Sequence, residues 1–137
     1  MEQFYEYLYE YGLHDCRIDD IICANTKIIF NFNSGVYKLN SFGKEFQLTN
    51  NCSMIIEIDE TDSKKICNHI DIIQIFKKKV YEIDCHDFIN RVRLFKFCVD
   101  MNYYSYFCNT VLLKGYINNE QYEITVSEVK NIYFKFI

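Results

Sequence analysis

Lys27-Ile28-Ile29-Phe30-Asn31-Phe32-Asn33-Ser34-Gly35-Val36-Tyr37 reads as a strand, a tight turn and the start of a second strand. Ile28, Phe30 and Phe32 alternate with Lys27, Ile29 and Asn31. That is the period of two by which a strand sends successive side chains to opposite faces. Asn33-Ser34-Gly35 supplies residues that tolerate positive φ and so reverse the chain. Val36, Tyr37 and Leu39 then resume the alternation.

The same period extends towards the N-terminus. Ile18, Asp20, Ile22 and Ala24 alternate with Asp19, Ile21 and Cys23, and Asn25-Thr26 forms the intervening turn. Before Gly12 the spacing changes. Phe4, Tyr7, Leu8 and Tyr11 fall at i, i+3, i+4 and i+7, which predicts a short N-terminal helix with Glu2, Glu6 and Glu10 as an acidic stripe. Gly12 is expected to end that helix in the left-handed conformation, with Leu13 packing back on its last turn.

Towards the C-terminus, Glu45 to Thr49 is expected to form a short strand. Asn50-Asn51 would turn the chain into the Ile-rich run Ser53–Ile58. Glu57 to Lys65 is polar and reads as a loop that includes the carboxylates Glu57, Asp59, Glu60 and Asp62. His69–Lys77 is dense in β-branched residues, which favours a strand, although a buried helix fits a run this short. Phe88–Val99 and Tyr103–Tyr116 read as long strands joined at Asp100-Met101-Asn102. Asn118-Asn119 makes a further hairpin turn before Tyr122, Ile124 and Val126, and Ile132, Phe134 and Phe136 close the chain. About eight to ten short strands at this spacing imply a sandwich or partly open barrel. The fold class is therefore mainly β, α+β at the margin: an antiparallel β-sandwich or partly open barrel with a short N-terminal helix.

A chain of 137 residues fits one domain, 1–137, and no Pro-, Gly- or Ser-rich linker divides it. Hydrophobic residues make up 50% and charged residues 25%, a globular mixture. The net charge is −4, which argues against a nucleic-acid binder, since those present clustered Lys and Arg to a polyanion. Lys77-Lys78-Lys79 is the one basic run and reads as a solvated turn. No apolar stretch approaches the roughly 20 residues of a membrane span. The opening MEQFYEYLYE is acidic and aromatic, unlike a secretory signal, so a cytoplasmic protein is expected. Cys16, Cys23, Cys52, Cys67, Cys85, Cys98 and Cys108 are odd in number and irregular in spacing, which suits reduced thiols rather than a disulfide framework.

Familiar catalytic signatures are missing. Four scattered glycines make no phosphate-binding loop, and there is no H-E-x-x-H, C-x-x-C or G-x-S-x-G. No cofactor is called for. All three histidines nevertheless lie beside Cys and Asp: His14-Asp15-Cys16, Cys67-Asn68-His69-Ile70-Asp71 and Cys85-His86-Asp87. Imidazole, thiolate and carboxylate are the usual ligands of zinc, which makes His14, Cys16, Cys67 and His69 a candidate metal set. Ordinary burial of cysteines competes with that reading. His14, Asp15 and His86 are candidates for a cleft that binds a small ligand or does chemistry. Tyr103, Tyr104 and Tyr106, with Phe107, form an aromatic cluster suited to an interface, because Tyr brings area at little rotamer cost. Core and sheet packing competes there.

Tyr11-Gly12-Leu13-His14-Asp15-Cys16-Arg17-Ile18, followed by Ile28-Ile29-Phe30-Asn31-Phe32 and Gly35-Val36-Tyr37, resembles the opening of small bacterial β-rich proteins. These include uncharacterised families and immunity proteins of toxin–antitoxin-like systems. The resemblance covers about the first 30 residues, through a Leu-His-Asp near a strand start and an amphipathic hairpin. It implies a cytoplasmic binding protein rather than a catalyst, with His14 and Asp15 carried over and Asp15 holding a turn. The expected function is a non-enzymatic protein-binding module, immunity-type in that setting. The alternative is a small-ligand binder or an enzyme with a His/Asp/Cys site that uses zinc. A protein partner, and self-association through a strand edge, fit either reading.

Overall fold

The computed structural model describes residues 6–59 and 63–137. Within them, 58% of the chain is strand, arranged as three antiparallel sheets with no closed barrel. The strands are β1 (Tyr11–Gly12), β2 (Arg17–Ile18), β3 (Asp20–Ala24), β4 (Lys27–Phe32), β5 (Tyr37–Leu39), β6 (Glu45–Leu48), β7 (Cys52–Ile58), β8 (Ile70–Phe76), β9 (Lys79–Ile83), β10 (Phe97–Ser105), β11 (Thr110–Ile117), β12 (Glu120–Val126) and β13 (Val129–Phe136). A 3₁₀ helix, Ser63–His69, precedes β8, and the helix α1, Cys85–Phe95, lies between β9 and β10. The sheets run β2-β10-β11-β12-β8-β9, β13-β7-β4-β3 and β1-β5-β6.

The alternation read in β4 decides its packing. Ile28, Phe30 and Phe32 are fully buried, while the residues between them are half-buried. They join Met54 and Ile56 of β7 and Leu113, Tyr122 and Ile124 of the six-stranded sheet in one continuous core. The Ser53 hydroxyl donates to Asn31 Oδ1 at 2.7 Å across a directly opposed pair, which fixes the β4–β7 register. Three of the expected turns are present, with Asn25, Gly35 and Asn118 at positive φ. Lys77 and Lys78 also take positive φ and form the two-residue turn of the β8–β9 hairpin. The strand reading of His69–Lys77 holds, as β8.

Four local expectations differ from the structure. The N-terminal helix is reduced, among the described residues, to a π-helical turn at Glu6–Glu10; Phe4 lies outside those residues. Tyr7 is buried, and the Tyr11 ring packs at a tilt against Phe134 and Phe136. Gly12 is not a left-handed cap. It pairs with Tyr37 in the sheet, where a Cβ would sit 3.0 Å from Leu39 Cδ2, and Leu13 is buried in the core.

The second difference is larger. The helix α1 takes residues 88–95, most of the expected strand Phe88–Val99. Asp84 caps the helix by accepting from Asp87 N at 3.2 Å, and Phe88, Ile89 and Val92 form its buried face. The interleaved polar residues Asn90, Arg91 and Arg93 mimic a period of two, but i, i+1, i+4 burial is helical. Third, Asp100-Met101-Asn102 is not a turn. It continues β10 through a bulge, and the chain reverses instead between Ser105 and Thr110, with Asn109 at positive φ. Fourth, the expected loop Glu57 to Lys65 begins within β7 and ends within the 3₁₀ helix.

Candidate functional site

The segment His14-Asp15-Cys16 is pinned to the bulge of β10. Asp15 N donates to Val99 O at 2.8 Å, Val99 N to Cys16 O at 2.9 Å, and His14 Nδ1 lies 2.7 Å from Asp100 O. Asp15 has a φ of 63°, and Cys16 N closes the turn on Leu13 O. His14 also faces the carboxylates of Asp15 at 3.3 Å and Asp100 at 3.9 Å. The hydrogen bond to the Asp100 carbonyl raises the His14 pKa. Desolvation opposes it, and the charges of Asp15, Glu45 and Asp100 add to it. Cys16 is buried behind this turn; its Sγ donates towards Gly12 O at 3.6 Å, and burial pushes its pKa up to about 12. It is a protonated packing group rather than a ligand.

Beyond Asp100, β10 becomes aromatic. Met101 and Tyr103 project outward, whereas Tyr104 turns into the core and donates to Asn109 Oδ1 at 3.2 Å. Tyr106 packs edge-on against Tyr104 at 4.9 Å, and its side chain meets that of Tyr9. Phe107, in the turn after β10, is 101% exposed. Tyr9 in turn lines an open cleft of about 680 Å³ with Leu8, Glu10, Tyr11, Leu39 and Phe46. An aromatic strip therefore runs from the cleft through Tyr9 and Tyr106 to Phe107, which follows Tyr106 in the turn, whereas Tyr103 faces the other side of the sheet from Tyr104 and Tyr106; the Asp15, Glu45 and Asp100 carboxylates act on His14.

A second constellation lies on α1. Cys23 of β3, Cys67 of the 3₁₀ helix and Cys85, the first residue of α1, bring their Sγ atoms within 4.8 Å of one another. All three are half-buried, pack against the core and carry free thiols. The thiols also hydrogen-bond to one another. The bond to Cys23, then burial, raises the Cys85 pKa; burial, then Cys85, raises that of Cys67.

The structure therefore divides the residues singled out from sequence. His14 and Asp15 meet at the β10 bulge, Tyr106 packs on the internal Tyr104, and the exposed Tyr103 faces the opposite side of the sheet from Tyr104. His86 is exposed on the first turn of α1, beside the thiol group, and lines neither the cleft nor its neighbour. The candidate set of His14, Cys16, Cys67 and His69 does not assemble: Cys67 meets Cys23 and Cys85 instead. Cys23 escaped the sequence reading because it has no histidine nearby. The Asp84 capping signal would have placed Cys85 at a helix start. No protein-family model matches the chain, and neither curated proteins nor solved structures yield a match.

Proposed function

We propose that this chain is a non-enzymatic protein-binding module that engages a basic protein partner through Tyr106, Phe107 and the adjoining cleft. The observation that carries the reading is Phe107, fully exposed next to Tyr106 at the end of the aromatic strip that leads from the cleft. Burying a phenyl ring on a partner gains roughly 1.5–3 kcal/mol, and fully exposed phenyl rings in contiguous apolar patches mark contact sites. Tyr and Phe faces attract Lys and Arg, and the Asp15, Glu45 and Asp100 group adds charge complementarity that speeds encounter. The net charge of −4 acts in the same direction. An inhibitor of a basic toxin or nuclease, the immunity-type role, has these surface requirements.

The test is affinity capture with the full chain from its cell of origin. A partner recovered by the wild type should be lost with Tyr106→Ala/Phe107→Ala, each truncation costing about 2 kcal/mol at a hot spot. Val80→Ala, on the exposed β9 edge, should leave capture intact. Equal capture by the double variant, or recovery of only a second copy of the chain, contradicts the reading. The 680 Å³ cleft favours a second reading, small-ligand binding, because its size lies in the range of ligand pockets.

A further inference from the structure

We propose that Cys23, Cys67 and Cys85 form a binding site for one zinc ion that staples β3, the 3₁₀ helix and α1 together. Three observations carry this. The first is distance. With Zn–S bonds of about 2.3 Å, thiolates sharing one zinc lie roughly 3.8–4.0 Å apart, for tetrahedral or trigonal geometry. Sulfurs all within 4.8 Å of one another need only small side-chain adjustments to reach that spacing. A disulfide joins only two of them, leaves the third over, and requires about 2.05 Å.

The second is ligand chemistry. Three sulfurs with no carboxylate among them form a soft donor set, which selects zinc or cuprous ion over magnesium and calcium. The nearest carboxylate in sequence, Asp84, is already occupied capping α1 through Asp87 N. Zinc has the better charge balance in a half-buried site, because three thiolates and Zn²⁺ leave a net charge of −1. That residual charge sits at the positive end of α1. On binding, three S–H bonds break, three S–Zn bonds form and three protons pass to solvent. The fourth coordination position is left for water, which the half-buried setting admits.

The third is origin. The ligands come from three separate elements, and a side chain from each has turned to the same point. Cys23 lies on the same face of β3 as buried Ile21, two residues before it, so β-strand alternation aims it inward. Cys85 is aimed by the Asp84 cap that starts the helix. Both α1 and the 3₁₀ helix pack on β3.

The experiment titrates the reduced full chain with zinc alone and then with cobalt alone. We expect one zinc per chain by elemental analysis. Cobalt should give thiolate-to-metal charge-transfer absorption and the intense visible bands of a tetrahedral site. Cys23→Ser, Cys67→Ser and Cys85→Ser should each weaken zinc binding at least about tenfold, while exposed Cys108→Ser should leave it unchanged. Should a variant fail to fold, the wild type still decides. Zinc should protect Cys23, Cys67 and Cys85, and not Cys108, from alkylation, and a chelator should restore their reactivity. Substoichiometric zinc, a cobalt spectrum without thiolate bands, or zinc protection that does not map to these three cysteines overturns the proposal.

Discussion

Arg93 Nε donates to Asp20 Oδ1 at 2.6 Å, at the end of α1 opposite the thiol group. The two contacts bracket matching lengths. Asp20 to Cys23 spans about 10 Å of strand, and Cys85 to Arg93 about 12 Å of helix. Thus α1 lies antiparallel along β3, clamped at one end by an ion pair and meeting Cys23 at the other. Arg91 Nη1 reaches Tyr122 Oη at 2.7 Å on β12, so the helix also ties the four-stranded sheet to the six-stranded one.

The Arg93–Asp20 pair is partly exposed, so its own contribution is modest. A double-mutant cycle with Arg93→Ala and Asp20→Ala should return a coupling of about 0.2–1 kcal/mol by chemical denaturation. A coupling of zero would mean that the α1–β3 packing is held by apolar contacts alone.

Gly115 sits where β11 passes beneath Phe97. A Cβ there would lie 2.1 Å from Cys98 O and 2.7 Å from the Phe97 ring, so backbone must move to admit it. Gly115→Ala should destabilise the fold by about 3 kcal/mol, the upper end of ordinary overpacking. Thermal melting compared with wild type checks this, and an unchanged midpoint would contradict the β10–β11 register.

Where one period ruled, sequence alone exposed the structure. β4 alternates cleanly because one of its faces meets the core, and Asn33-Ser34-Gly35 can only turn. Residues 88–95 read as strand because Phe88, Val92 and Leu94 fit a period of two, while Phe88, Ile89 and Val92 fit a helix. Only tertiary burial separates the two. The bulge at Asp100 is hidden for a related reason: Asp100 and Asn102 are residue types of turns, and the sequence does not separate a bulge that continues the strand from a reversal that ends it. The thiol group is a meeting of distant elements. Cys23 and Cys85 lie far apart in the chain, so no local spacing announces them.

His14 offers a pH test. Its folded pKa is raised above 6.5, chiefly by the Asp100 carbonyl, so the folded state favours the imidazolium. The associated stability is complete below the unfolded value of 6.5 and is lost as pH rises through the higher folded value. Because the side chain is 55% exposed, the effect on stability should be small. NMR titration of the imidazole should give a pKa above 6.5 that Asp100→Asn lowers only slightly. A value at or below 6.5 would show that the hydrogen bond does not persist in solution.

The β8–β9 turn carries lysines where glycine is the natural choice. Lys78 has a φ of 65°, a left-handed conformation disfavoured for residues with a Cβ. Lys78→Gly should stabilise the protein by about 0.5–1 kcal/mol. Keeping Lys77 preserves the cation–π contact of its ammonium, 5.3 Å from the Phe76 ring centre. A raised urea midpoint with an unchanged slope is the expected signature. A fall in the midpoint would show that this turn takes a different form.

The carboxylates grouped round His14 should act on association rate rather than on residence time. Asp15→Asn/Asp100→Asn should slow association with a captured partner several-fold at low salt and hardly change dissociation, by surface plasmon resonance. An effect confined to the dissociation rate would place these carboxylates inside the interface.

The most direct measurement replaces Phe107 with a photo-reactive benzoylphenylalanine in cells of origin and compares it with the same replacement at Tyr81 on β9. A single cross-linked adduct to a basic protein from position 107, with none from position 81, is the expected result. Equal labelling from both positions, or an adduct only with a second copy of the chain, would contradict a partner-binding role for the aromatic strip.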